Sequence, residues 1–211
     1  MPGKADNESE LIAQLKDGSD TALAELFSHH HDRLKRIVRF RLDHRLAGRI
    51  SESDVIQDSF LSASKRVDHY RGKEDMPFFV WLRLIINQQL ADLHRQHLQA
   101  EKRDVRKEIS LDRPAISPRT SLAMAAQLVG NATSASRAYS RVERIAKLED
   151  ALNHMEPIDR EVIALRHFEE LKNSEVAKVL DIDEQASSKR YVRAMKRMKE
   201  IVKTIPGFTD E

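Results

Sequence analysis

The chain has 211 residues, and its composition favours helices over sheet. Glycine and proline contribute six residues each, and the aromatic residues are seven Phe, three Tyr and one Trp, so a turn-rich β-sandwich or barrel is disfavoured. The absence of cysteine excludes disulfides, thiolate metal ligands and a cysteine nucleophile, and it fits a reducing compartment. No apolar run approaches the roughly 18–20 residues of a membrane span, and the polar N-terminus does not resemble a signal peptide. We therefore expect a soluble, cytoplasmic protein without membrane contact.

Charge is distributed unevenly along a nearly neutral chain. The formal net charge is +2. Residues 1–28 hold six acids and two bases, whereas residues 32–49 and 184–203 each hold seven bases and two acids, a net charge of +5. Such basic stripes are typical of a protein that binds a polyanion, and the alternative is a solvated helix face.

Residues 1–108 predict a first block of helices. Apolar residues recur there at helical spacing, and the predicted helices are residues 10–16, residues 20–46, a helix that begins after Ser51, and residues 77–106. Ser51 and Asp54 have the spacing of a capping box, and Pro77 suits the first turn of a helix. We expect residues 70–75 to form a loop between the third and fourth helices.

Residues 109–140 differ from both flanks and predict a linker. They contain Pro114, Pro118 and Gly130 among scattered small polar residues, and they show helical periodicity only around residues 122–129. A segment of this length is too long for a tight turn within one domain. We therefore expect two domains joined by a flexible linker that holds at most one short helix.

Residues 141–211 predict a second block of short helices. These are residues 142–155, a helix opened by Pro157, residues 175–180 capped by Asn173 or Ser174, and residues 184–203. A short helix followed by a tight break and a longer basic helix is the helix–turn–helix pattern. The predicted fold class is thus all-α, with two small helical domains at residues 1–108 and 141–211.

The last helix is predicted to have an apolar face and a cationic face. On a helical wheel, apolar residues fill one arc, and the opposite arc holds Lys189, Arg190, Arg193, Lys196, Arg197 and Lys203. Gln185 and Ala186 join the cationic arc near the helix start. A major groove admits such a helix, with its N-terminal residues at base edges and its later cations at phosphates. We therefore interpret this face as a surface that reads duplex DNA.

A second candidate surface lies on the predicted helix that follows Ser51. Asp54, Gln57, Asp58 and Leu61 occur at i, i+3, i+4 and i+7, so they share one side of that helix, away from its apolar stripe. An apolar residue among acids favours a partner surface over a merely solvated side.

Three segments occur in an order that a known family shares. Residues 54–61 read Asp-Val-Ile-Gln-Asp-Ser-Phe-Leu, and they resemble the core-polymerase-binding helix of bacterial RNA polymerase sigma factors. The next segment resembles the promoter-melting helix of that family and holds Trp81, Leu82, Ile85, Gln88, Asp92 and Arg95. Residues 175–183, which precede the basic helix, resemble the family's DNA-binding domain. Two domains with no third between them are the layout of the extracytoplasmic-function (ECF) class, and residues 186–199 resemble its subgroup common in planctomycete-like bacteria.

The resemblance implies a function and a set of site residues. It implies a sigma factor, not an enzyme, that needs no cofactor, binds the clamp helices and flap of core RNA polymerase and directs promoter-specific initiation. An anti-sigma protein is a further candidate partner. The implied −35 contacts are Gln185, Ala186, Lys189, Arg190, Arg193 and Lys196. The implied −10 contacts are Tyr70, Arg71, Lys73, Gln88 and Arg95. The implied polymerase contacts are Asp54, Gln57, Asp58 and Leu61.

The chain departs from the family pattern at several positions. Asp181 stands where the family usually has glycine, and aspartate tolerates the left-handed backbone that this turn needs. Ser187 stands on the packed side of the last helix, where the family often has an apolar residue, and Gln88 replaces the usual asparagine. We expect Phe78 and Trp81 to lie in the core.

Two other functions are kept as alternatives. A transcription regulator with a helix–turn–helix and a helical effector domain would share the C-terminal half. A metal-dependent hydrolase is favoured only by the nine histidines. However, His29, His30 and His31 are consecutive and point about 100° apart on a helix, so they cannot all reach one ion. We expect no metal site.

Overall fold

The structure is a computed structural model. It describes the backbone of residues 4–43, 46, 48–72, 76–98, 119–130 and 135–205, and the side chains of these residues except 4–6, 98 and 135–140. Every regular element in this part of the chain is a helix, so the predicted all-α fold class is confirmed. None of these helices has the length and apolar character needed to cross a membrane. The chain divides into two compact units, Met1–Ile109 and Ser110–Glu211.

The described part of the N-terminal unit is built around one central helix. Its elements are α1 (Lys4–Lys16), α2 (Asp20–Arg41), α3 (Glu52–Arg71) and α4 (Phe78–Leu98). Helix α2 packs against the other three, and α3 also packs against α4. Leu26, Leu34 and Ile37 of α2 are fully buried, as are Ala63 of α3 and Ile86 of α4. The apolar stripes predicted from the sequence therefore form one small core.

The helix ends of this unit match the sequence in part. The capping box is confirmed, since the backbone N of Asp54 donates to Ser51 Oγ at 3.1 Å and the backbone N of Ser51 donates to Asp54 Oδ2 at 3.3 Å. Helix α1 begins earlier than predicted, and α2 ends earlier, because Leu42 has an extended backbone. Pro77 lies just before α4 rather than in its first turn, and its carbonyl accepts from the backbone N of Trp81 at 3.1 Å.

An aromatic cluster joins the end of α3 to the start of α4. The ring centroid of Tyr70 lies 5.2 Å from that of Phe78 and 5.0 Å from that of Trp81, and all three side chains are buried. The expectation that Phe78 and Trp81 lie in the core is confirmed. The prediction that Tyr70 and Arg71 belong to a loop is wrong, because packing of Tyr70 in this cluster extends α3 to Arg71.

The C-terminal unit begins, among the described residues, with a helix inside the predicted linker. Its elements are α5 (Thr120–Val129), α6 (Ala135–Asn153), α7 (Pro157–Ile163), a π-helical continuation (Ala164–Phe168), α8 (Asn173–Leu180) and α9 (Glu184–Lys203). Helix α5 packs against α6 and α7, and its Met124 and Ala125 are fully buried. This stretch of the predicted linker is thus packed against the second unit, while residues 109–118 lie outside the described part of the chain.

Helices α8 and α9 form the helix–turn–helix. Asp181 adopts the predicted left-handed conformation (φ 53°, ψ 50°), and Asp183 Oδ1 accepts from the backbone N of Ala186 at 2.7 Å to cap α9. The predicted cap of α8 is wrong. The helix begins at Asn173, and the Glu175 carboxylate instead accepts from the backbone N of Lys172 at 2.8 Å.

Candidate DNA-binding and polymerase-binding surfaces

Helix α9 has one buried side and one exposed cationic side. Ser187 and Ala194 are fully buried, and Met198 is nearly so. The cations on the opposite side are exposed except for Arg190, and we call four of them the cationic face: Lys189, Arg193, Lys196 and Arg197. The helical wheel therefore predicted the orientation of this helix correctly, and the cationic face is open to a polyanion.

The first turn of α9 presents one polar and one small residue beside the cationic face. Gln185 is exposed and Ala186 is half-buried. The Asp183 cap satisfies a backbone N–H that the start of a helix otherwise leaves without a partner. An amide such as Gln185 can donate to and accept from a base edge in a major groove, which admits a helix of this diameter.

Arg190 differs from the other cations of α9. Its guanidinium Nη1 lies 2.6 Å from Asp159 Oδ1 in the first turn of α7, and the two side chains are only 31% and 13% exposed. The neighbouring Tyr191 ring lies 5.2 Å from the guanidinium carbon of Arg166, in the π-helical segment. Two consecutive residues of α9 thus contact α7 and its π-helical continuation, and the guanidinium of Arg190 is paired there rather than exposed like the cationic face.

The predicted polymerase contacts share one exposed side of α3. Asp54, Gln57, Asp58 and Leu61 are all exposed, and Leu61 is 51% exposed. We call these four residues the α3 face. The buried side of the same helix carries Val55, Ile56, Ser59, Ala63, Val67 and Tyr70. An exposed leucine that shares one helix side with two carboxylates is a surface that a partner with apolar and basic groups could cover.

Two of the predicted −10 contacts are engaged inside the N-terminal unit. Tyr70 is only 2% exposed, so its ring has no free face on which a base could stack. The guanidinium of Arg71 donates to the Leu15 carbonyl at 2.8 Å, to Asp68 at 2.6 Å and to Asp20 at 3.1 Å. Both residues therefore stabilise the unit, because burial and internal hydrogen bonds occupy the groups that a strand would need.

The other predicted −10 contacts lie on α4 or outside the described residues. Gln88 Nε2 donates to Asp92 Oδ1 at 3.3 Å, and Arg95 pairs with the same carboxylate. All three side chains are half-buried, so Asp92 brings Gln88 and Arg95 together on one side of α4. Lys73 lies outside the described residues.

Comparison with known proteins identifies the family. A family model described as "ECF sigma factor" matches residues 5–203 of the chain. The chain belongs to the ECF sigma factor family. The ECF RNA polymerase sigma factor BldN of Streptomyces coelicolor is 24% identical to this sigma factor over 198 residues, which are 92% of this chain and 67% of BldN. The resemblance found in the sequence is confirmed, while the planctomycete-like subgroup stays a prediction.

Solved structures were matched to this sigma factor, and one of them shares its fold. CnrH in complex with the cytosolic domain of CnrY matches it with a TM-score of 0.51 and 22% identity, over 92% of this chain and 96% of that chain. The sigma factor RpoE in complex with the anti-sigma factor NepR, from Bartonella quintana, matches with a TM-score of 0.44 and 15% identity, over 89% of this chain and 97% of that chain.

Membership of the family decides between the functions considered for the sequence. As an ECF sigma factor, the chain binds core RNA polymerase and promoter DNA and directs promoter-specific transcription initiation. It is an initiation factor and not an enzyme, so the hydrolase alternative is wrong, and so is a regulator that works without polymerase. The surfaces described above are the places at which this sigma factor could make those contacts.

The sequence interpretation missed three residues around α9. Asp159 was not paired with Arg190, because the two are 31 positions apart and an acid in the first turn of a helix ordinarily only complements the helix dipole. Arg166 was overlooked because its contact with Tyr191 also joins residues far apart in the sequence. Val192 was given no role, yet it is 67% exposed beside the cationic face. An apolar residue on a cationic arc was the signal that could have identified it.

Proposed function

We propose that the cationic face and first turn of α9 bind the −35 duplex. The proposed contacts are Gln185, Ala186, Lys189, Arg193 and Lys196. The first-turn residues approach base edges, and the later cations neutralise phosphates. The observation that carries the proposal is the orientation of α9, whose cations are exposed while Ser187, Ala194 and Met198 are buried. Because the other side of α9 is packed against the unit, the exposed side is the part of this helix that can contact DNA.

We propose that the α3 face binds the clamp helices of the largest polymerase subunit, and that the C-terminal unit binds the flap. The first part is supported by the exposed Leu61, which shares its side of α3 with Asp54 and Asp58 on a helix whose start is fixed by a capping box. An interface of this kind gains affinity from the buried apolar side chain and specificity from the surrounding charges.

We propose that the N-terminal unit captures the −10 strand through Gln88 and Arg95, with Lys73 as a third contact. Asp92 orders both side chains on α4, which supports their action as one group. In this proposal Tyr70 and Arg71 act indirectly, because they fix the junction between α3 and α4.

Both DNA contacts are proposed to be weak singly and strong together. Joining two modules through the polymerase raises their effective concentration at a promoter whose elements have the matching spacing. A modest net charge of +2 fits this arrangement, because a strongly basic subunit would bind the genome nonspecifically. We place this activity in the cytoplasm. An anti-sigma protein remains a proposed third partner; CnrH, which shares the fold, was solved with the cytosolic domain of CnrY.

The deciding experiment is in vitro transcription with purified cognate core polymerase and genomic DNA fragments. We expect specific start sites that depend on this chain, and we expect them to be lost in a Lys189→Ala/Arg193→Ala variant that still co-purifies with polymerase. Specific start sites that survive this double substitution would contradict the proposed role of the cationic face.

A further inference from the structure

The ion pair between Asp159 and Arg190 links the proposed DNA-reading helix to the helix behind it. Asp159 lies in the first turn of α7, which begins at Pro157, and Arg190 lies in the second turn of α9. The Nη1–Oδ1 distance is 2.6 Å, and the side chains are 13% and 31% exposed, respectively. This contact is much better shielded from solvent than the pairs on the helix surfaces, such as Glu143–Lys147.

Partial burial makes this pair costly to separate. If either partner is removed, the other charge stays in a partly desolvated position without its counterion, which is the expensive way to break an ion pair. If Arg190 were to reach a base or a phosphate, its guanidinium would have to leave Asp159 and abandon that carboxylate. Lys189 and Arg193, which are exposed, face no such cost.

The position of the pair on α9 matters as much as its strength. Arg190 adjoins Lys189, and the next residue, Tyr191, lies under the Arg166 guanidinium. Fixing two consecutive residues of a helix to the same neighbouring segment restricts the rotation of the helix about its own axis. A rotation of one residue step, about 100°, would turn the cationic face away from the groove.

We infer that Arg190 is a positioning residue and Asp159 its anchor: their ion pair sets the rotation of α9, so that Lys189 and Arg193 face the −35 duplex while Arg190 reads no base. This inference rests on the proposed function of the cationic face. It reassigns Arg190 from the −35 contacts implied by the sequence, and it gives a role in promoter recognition to a carboxylate on another helix.

The test measures promoter binding by holoenzyme made with the full chain. The probe is a promoter duplex that the wild-type holoenzyme selects from a random-sequence library. Asp159→Asn and Arg190→Gln should each weaken binding about three- to thirtyfold, the range expected for contacting pairs. The charge-exchanged double variant Asp159→Arg/Arg190→Asp should recover most of this loss, although it places an acid on the DNA-binding helix.

Two readouts separate positioning from direct contact. For a positioning residue, Arg190→Gln lowers the fraction of molecules in which α9 has the productive rotation, while the bound state keeps its contacts. The selected −35 sequence and the salt dependence of binding then stay unchanged. A changed base preference, or a salt slope smaller by about one phosphate contact, would overturn the inference. So would a charge-exchanged variant that melts like the wild type yet binds no better than Arg190→Gln. If the exchanged variant does not fold, the selected sequence and salt slope of the single variants decide.

A control variant distinguishes failure of this inference from failure of the proposed function. Lys189→Ala/Arg193→Ala alters the cationic face and leaves the Asp159–Arg190 pair in place. If this control loses binding and the pair variants do not, the inference alone is wrong. If the control retains full binding, the proposed −35 surface is itself wrong.

Discussion

The Thr120 hydroxyl donates a hydrogen bond of 2.7 Å to Glu161 Oε2, across the contact between α5 and α7. Both side chains are buried. A buried carboxylate requires hydrogen-bond donors, because its water has been removed. The first residue of α5 thus supplies a polar group to the interior of the second unit. This bond ties α5 to α7, and the burial of Met124 further holds α5 in the unit.

Replacement of Thr120 by valine should loosen α5. The change keeps the side-chain volume but removes one donor from a buried carboxylate, at a cost of about 1–3 kcal/mol. We expect faster amide hydrogen exchange in Thr120–Val129 than in the wild type, with exchange in α9 little changed. Thr120→Ser keeps the hydroxyl and should exchange like the wild type. Equal exchange rates in the valine variant would mean that the hydrogen bond does not hold α5.

The buried Tyr70 should make the N-terminal unit sensitive to alkali. Burial raises the pKa of Tyr70 to about 12, and the negative charge of Glu8 adds to the effect. An unfolded tyrosine titrates near pH 10, so between about pH 10 and 12 the folded state keeps a proton that the unfolded state releases. The free energy of unfolding should therefore fall as the pH rises through this range, and Tyr70 should contribute no pH dependence below it.

Tyr70→Phe isolates this contribution. It keeps the ring against Phe78 and Trp81 and removes the titrating hydroxyl. Urea unfolding followed by Trp81 fluorescence, at pH values from about 9 to about 11.5, should show wild-type stability falling more steeply than that of the variant. Parallel curves for the two proteins would refute the assignment.

Replacement of the buried Ser187 by alanine should stabilise the C-terminal unit. It is fully buried, and its hydroxyl has no hydrogen-bond partner among the described residues. Ser187→Ala removes a desolvated polar group and should raise the free energy of unfolding by about 1 kcal/mol. The exposed neighbour gives a matched control, because Ser188→Ala gains only the helix propensity of alanine, about 0.5 kcal/mol. Calorimetry that finds equal gains for both variants would contradict the role of burial.

Much of the fold was predictable because it depends on local rules. The capping box at Ser51 and Asp54, the proline at the start of α7 and the left-handed Asp181 each follow from the chemistry of neighbouring residues. The orientation of α9 followed from the periodicity of its apolar residues. These features need no knowledge of which helices meet.

The errors came from contacts between residues distant in sequence. Tyr70 looked like a loop residue because Gly72 follows closely, but its ring packs on Phe78 and Trp81 of the next helix. Arg71 looked free, yet its guanidinium donates a hydrogen bond to the Leu15 carbonyl near the end of α1. Arg190 looked like the other cations of its arc, and only the fold reveals its carboxylate partner. A helical wheel identifies the side of a helix but not what lies against it.

Charge reversal on the α3 face should abolish polymerase binding without unfolding the protein. Asp58 is exposed, so Asp58→Arg should leave the melting temperature nearly unchanged while lowering co-purification with core polymerase at least about tenfold. Arg66→Glu is the matched control, because it reverses an exposed charge on another side of the same helix. Loss of folding in Asp58→Arg, or equal loss of co-purification in the control, would contradict a specific surface.

Single substitutions on the cationic face should separate base contacts from phosphate contacts. If Lys189 or Arg193 contacts a base, its replacement by alanine should weaken −35 binding by about 1–3 kcal/mol and relax the preference at one position. If it contacts a phosphate, binding should weaken for all sequences, and the salt slope should fall by about one. Lys147→Ala removes an exposed cation of α6 that pairs with Glu143 at 2.8 Å, and it should change neither quantity. Because both cations are exposed, unchanged promoter binding in both alanine variants would contradict the proposed role of the cationic face.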